Sequence, residues 1–249
     1  MGEIDPLEAA KRIVSARFPS AAAAFLSGSA QGPMRTATSD LDIVVFLGED
    51  DQAYRETVRE LGWLVELFVQ NPWSFSYFVN LETRARRSPL LQMCAHGTTL
   101  VSVDGAAEKY QSEARRLLAK GPPPITKGEL DQRRYELSDL LDDYVGSTSP
   151  EELTFIASQL LIKSSELALL TNLQWLGTGK WLARRLEPTK PEHLARLNAG
   201  VRLAVTGDDR EPLRSTVIEI LDEVGGPLSE GYRNIAPAPP RPTKYKDPR

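Results

Sequence analysis

With 249 residues and 27.6 kDa the chain has room for one large domain or two modest ones, and its 41% hydrophobic fraction excludes wholesale disorder. Thirty Lys and Arg against 34 Asp and Glu give a formal charge of -4, which offers no general basic footprint to duplex nucleic acid. A lone cysteine, Cys94, excludes an internal disulfide, and with only two histidines it cannot complete a four-ligand His/Cys zinc site. Any metal must therefore be held largely by carboxylates.

Asp5, Pro6 and Glu8 read as an N-cap, an N1 proline and an acidic first turn, and they predict a first helix running to Phe18-Pro19. Ala21 to Leu26 fits a small-residue strand that stops at Ser27-Gly28-Ser29. After a Thr/Ser-rich loop, the run Leu41 to Leu47 is β-branched and apolar on both faces, as a central strand is. Asp50 to Leu61 reads as a short charged helix ended by Gly62, and Trp63 to Val69 as a third strand closed by Asn71-Pro72. Ser74 to His96 is helical with a break at Ser88-Pro89, and Thr98 to Val103 adds an edge strand. The strand runs are far short of the roughly 18 residues that span a bilayer, and Gly2 to Asp5 lacks the basic and apolar regions of a secretory signal. Cytoplasmic residence and no membrane partner are the expectation.

Gly121-Pro122-Pro123-Pro124 cannot continue a helix and marks the expected domain boundary. Beyond it, residues 127–144, 151–173, 191–205 and 211–224 carry apolar residues at three- and four-residue spacing, which predicts a bundle of about four helices. The expected organisation is α+β: a small mixed-sheet domain over residues 1–120, a helical bundle over 125–232 and a proline-rich tail over 233–249.

The chemistry concentrates where Gly28-Ser29 is followed by a ten-residue loop and then by Ser39-Asp40-Leu41-Asp42. Alternation along a strand points Asp40 and Asp42 the same way, about 6 to 7 Å apart. Two carboxylates entering an apolar strand repel each other, and a hard divalent cation between them is the simplest compensation. Glycine and serine after a strand offer close backbone approach, N–H groups and a hydroxyl to an anionic phosphate.

On these residues the chain resembles the nucleotidyltransferase superfamily with the DNA polymerase beta type of palm, whose signature is Gly-Ser, a loop of this length and Asp-x-Asp in an apolar strand. The small N-terminal domain before a helical bundle is similar to the bacterial aminoglycoside-type branch. The resemblance covers residues 25 to 70 by motif and the remainder by architecture alone. It implies a third carboxylate on a neighbouring strand, a place that Glu66, between Val65 and Leu67, fills. It also implies Mg2+ on Asp40 and Asp42, an NTP as co-substrate gripped by Gly28, Ser29 and Ser39, and transfer of an NMP, AMP from ATP foremost, to a hydroxyl with release of pyrophosphate. Glu in the third place is closer to the antibiotic-modifying members, where it serves as base toward the acceptor. A metal ligand, or a carboxylate simply paired with an arginine, is the alternative for Glu66.

Gly177-Thr178-Gly179-Lys180 is similar to the family segment in which a lysine reaches the nucleotide phosphates, although it lacks the spacing of a Walker loop. Lys180 is thus a nucleotide contact or a solvated helix end. Arg84, Arg86 and Arg87 form a basic cluster that either neutralises phosphate or is a wet helix face. Asp139 and Asp143 share a helix face that could line a cleft toward the acceptor. His96 and His193 read as ordinary and Cys94 as a packed small hydrophobe. The acceptor itself, a small molecule such as an aminoglycoside or lincosamide, a tRNA end or a protein hydroxyl, is left open, with the acidic charge weighing against bulk nucleic acid. The competing class is a non-catalytic nucleotide-binding or antitoxin-like protein on the same fold.

Overall fold

A computed structural model describes residues 4–32, 35–36, 38–207 and 209–235; the proline-rich tail lies, from residue 236 on, outside the described residues. The fold is α+β, and the chain divides into two compact units, Met1–Pro124 with Asn172–Arg185, and Ile125–Thr171 with Leu186–Arg249.

The first unit is a five-stranded mixed sheet of order β3-β4-β2-β1-β5, built from β1 (Ala23–Ser27), β2 (Leu41–Phe46), β3 (Tyr54–Glu60), β4 (Trp63–Gln70) and β5 (Thr98–Ser102). β2 runs antiparallel to β1 and parallel to β4. Residues 41, 43 and 45 of β2 and 65, 67 and 69 of β4 face α1 (Pro6–Arg17), whose Ala9, Ala10, Ile13 and Val14 are fully buried against them. Strand parity sends Val44 and Phe46 to the other face, into a core with α2 (Pro72–Arg84), α3 (Pro89–His96) and α4 (Ala106–Lys120). A sheet buried on both faces accounts for the continuous apolar run of β2.

The stretch expected as a helix from Asp50 to Leu61 contains β3 instead. Its charges alternate: Glu56, Val58 and Glu60 turn toward α1, where Arg17 pairs with both acids, while Arg55, Thr57 and Arg59 lie on the opposite face of the strand. Charged residues suit an edge strand, where they discourage pairing with another chain. Leu61 and Gly62, with φ of 50° and 89°, form the two-residue turn of left-handed conformation that matches the twist of a hairpin, so Gly62 links β3 to β4.

Asn172–Arg185 joins the first unit because Trp175 and Leu176 are buried there. The Trp175 indole N–H donates to Leu118 O at 3.1 Å, and Leu176 N–H donates to Arg86 O at 2.8 Å. Gly177 is needed at this point, since a side chain on it would overlap the backbone of Trp181 and Leu182 at the start of α7 (Lys180–Thr189).

The second unit packs α5 (Lys127–Gly146), α6 (Pro150–Thr171), α8 (Pro191–Thr206) and α9 (Glu211–Asp222) together. α6 is long and apolar enough to cross a membrane by length and composition, a length that the short apolar runs of the sequence did not suggest. Half of that stretch is buried within the structure, and Lys163 and Glu166 on it pair with Glu136 and Arg133 of α5.

Candidate active site

Asp42 and Glu66 are direct register partners on the parallel strands β2 and β4, on the sheet face opposite α1. Asp40 lies just before β2, one alternation step from Asp42. The three half-buried carboxylates each place an oxygen within 4.8 Å of the others, an arrangement that could hold a metal ion. An oxygen-only donor set fits a hard divalent cation better than a soft one.

Gly28 and Ser29 approach from the adjoining strand, since Ser27 is the register partner of Asp42. Gly28 has φ 82°, a conformation that side chains rarely adopt, and a Cβ there would collide with the Asp42 carboxylate. The glycine is thus required twice over, by its backbone and by the space Asp42 occupies. Ser29 Oγ lies 2.9 Å from Ser39 Oγ, and Ser39 Oγ accepts the Thr36 N–H at 2.9 Å. These bonds tie the glycine turn to the loop that delivers Asp40.

Burial, with the neighbouring charges of Asp40 and Glu66, pushes the Asp42 carboxyl up to about 6, while Arg55 and Lys180 pull it back. Lys180, exposed at the first turn of α7, is therefore close enough for its charge to act on the cluster. Glu66 is held directly: Arg55 Nη2 donates to its Oε2 at 2.7 Å, and the guanidinium lies 4.8 Å from the Phe68 ring centroid. The arginine partner considered for Glu66 from sequence is thus present. Its source was not legible in the sequence, because the charged stretch 54–60, with Tyr54 and Val58 four residues apart, fits a helix surface as well as an edge strand.

Asp42, Gly28 and Arg55 open onto a cavity of about 860 Å³ lined entirely by residues of the first unit, including Phe68, Phe78, Leu90, Met93 and Trp181. Its size is that of a small-molecule pocket. Glu82, on its wall, accepts the Leu90 N–H at 3.1 Å at the start of α3, and burial pushes its carboxyl up to about 7. It too escaped the sequence reading, although Phe75, Val79 and Glu82 recur at helical spacing on one face of α2.

The other sequence candidates have plainer places. Arg86 donates to the Pro123 and Pro124 carbonyls, Arg87 lines the cavity and Arg84 is exposed. His96 also lines the cavity, and burial pushes the Cys94 thiol far up, which leaves it unreactive. In the second unit Asp139 and Asp143 are exposed on α5, and His193 is buried near Glu219 and Glu223.

Comparison with protein-family models and with curated proteins finds no match. Among solved structures the chain is similar to a nucleotidyltransferase-like protein from Exiguobacterium sibiricum, with 14% identity, 90% of this chain and 82% of that one covered, and a TM-score of 0.39. What the site can do therefore rests on its own geometry.

Proposed function

We propose that the chain is a metal-dependent nucleotidyltransferase that moves a nucleoside monophosphate, AMP from ATP foremost, to a hydroxyl acceptor. The observation that carries this reading is the convergence of Asp40, Asp42 and Glu66 beside Gly28, which has no room for a side chain. Asp40 and Asp42 would hold one or two divalent ions, Mg2+ by the hardness of their oxygens. A bound ion would supply charge stabilisation to the triphosphate and its leaving oxygen.

The remaining work falls to the chain. Gly28 N–H and the hydroxyls of Ser29 and Ser39 bind the terminal phosphates, with Lys180 adding positive charge from α7. Glu66 orients the acceptor O–H and takes its proton as the new O–P bond forms at the α-phosphorus. The bond to the β-phosphate breaks and pyrophosphate leaves. The cavity walls exclude water, which would otherwise compete as acceptor. The catalytic work falls in residues 1–124 with 172–185, and a cytoplasmic setting would supply the NTP. A small-molecule acceptor fits the cavity volume better than bulk nucleic acid does.

One observation favours a second reading: Arg55 already occupies a Glu66 oxygen, as it would in a protein that binds a nucleotide without turning it over. Radiolabelled NTPs screened with Mg2+ against small-molecule, RNA and protein acceptors separate the two. Label transfer that is lost in Asp42→Asn supports the enzyme. Mg2+-dependent NTP binding with no transfer to any acceptor supports the binding protein.

A further inference from the structure

Arg55 sits on the edge strand β3, opposite Phe68 in register, so its side chain crosses diagonally to reach Glu66 on β4. The two ends of this ion pair differ in setting. Arg55 is 62% exposed, whereas Glu66 is 23% exposed and belongs to the three-carboxylate cluster. An exposed, singly bonded pair contributes little to stability, so its position calls for another reason. Three carboxylates drawn together repel, and a guanidinium on one of them offsets that repulsion when no cation is bound. A divalent ion needs the same carboxylate charge, and the two cations compete for it. The guanidinium also has somewhere to go: stacked near Phe68, it lines the same cavity as Asp42 and Gly28, and its planar fork matches phosphate oxygens.

We propose that Arg55 is an exchangeable counter-charge for Glu66, holding the carboxylate while the cluster is empty and passing to the polyphosphate of the incoming ligand when a divalent ion on Asp40 and Asp42 supplies the cluster's positive charge. The inference rests on the metal-dependent reading above. Its consequence is coupling: a bare ion must displace Arg55 without recompense, whereas an ion arriving with polyphosphate gives the guanidinium a new partner. Arg55 is thus a positioning residue that makes ion loading depend on the phosphate ligand.

The test uses the full chain with Arg55→Gln and Arg55→Lys variants, their folding checked by circular dichroism. Mn2+ binding is followed by electron paramagnetic resonance without nucleotide, and inorganic tripolyphosphate is titrated calorimetrically in saturating Mg2+. Arg55→Gln is expected to bind Mn2+ alone about 3- to 30-fold more tightly than the parent and Mg2+-tripolyphosphate more weakly by a similar factor, with Arg55→Lys close to the parent for Mn2+. An Arg55→Gln variant with unchanged Mn2+ affinity overturns the counter-charge. One with tighter Mn2+ binding but parental tripolyphosphate affinity overturns the exchange. Absence of Mn2+ binding in the parent and in Arg55→Gln alike, with and without tripolyphosphate, overturns the metal reading itself, and this inference with it, which distinguishes that failure from the other two.

Discussion

Asp42 and Glu66 stand opposite each other across the parallel β2–β4 pair, two carboxylates in neighbouring strands of a sheet that is buried on both faces over most of its length. Their separation in sequence is bridged by the β3–β4 hairpin, whose outer strand supplies the arginine that pairs with the second of them.

Asp42 carries the strain of this arrangement, and pH reveals it. Its carboxyl is raised to about 6, so the ionised form is disfavoured in the fold. The stability tied to this group is fully present below the ordinary carboxylate value of about 4 and is lost as pH rises through about 6. Asp42→Asn is therefore expected to stabilise the metal-free protein by about 1–2 kcal/mol at pH 8, after allowance for solvent screening, and to lose that advantage near pH 4. Chemical denaturation at the two pH values measures it, and the same variant should lose the Mg2+-NTP-induced rise in melting temperature.

Gly28→Ala is expected to cost about 2–4 kcal/mol, from the left-handed backbone and from displacement of the Asp42 carboxylate. Mn2+ affinity should fall with it. A variant of parental stability and parental Mn2+ affinity would show that the turn relaxes without disturbing Asp42.

Glu66→Gln separates binding from chemistry. If Glu66 takes the acceptor proton, affinity for Mg2+-NTP stays within a few-fold while kcat falls by about 10²- to 10⁴-fold. Parallel loss of affinity and turnover would make it chiefly a metal ligand, and nearly full turnover would remove it from the mechanism.

Gly62→Ala places a methyl group on a residue with φ 89° in the hairpin turn, and is expected to destabilise by about 1 kcal/mol. Hydrogen exchange should quicken first at β3, the edge strand that presents Arg55.

What was legible in the sequence is what neighbouring residues settle among themselves. Asp40 and Asp42 share a face because side chains alternate along any strand, β2 declares itself by a β-branched run and β4 by a short apolar one, and Gly28-Ser29 is punctuation that suits a turn. The registers that bring Glu66 beside Asp42 and Arg55 beside Glu66 belong to strand pairing, which depends on the whole sheet. The charged stretch 54–60 shows why: its composition suits a helix surface or an edge strand equally well, and only the hairpin with β4 and the ion pairs to Arg17 of α1 decide for the strand. The return of Asn172–Arg185 to the first unit was likewise decided in three dimensions. Trp175 reads locally as part of a helical half, but the core that buries it is built from β1, β2 and α2 to α4, more than fifty residues earlier in the chain.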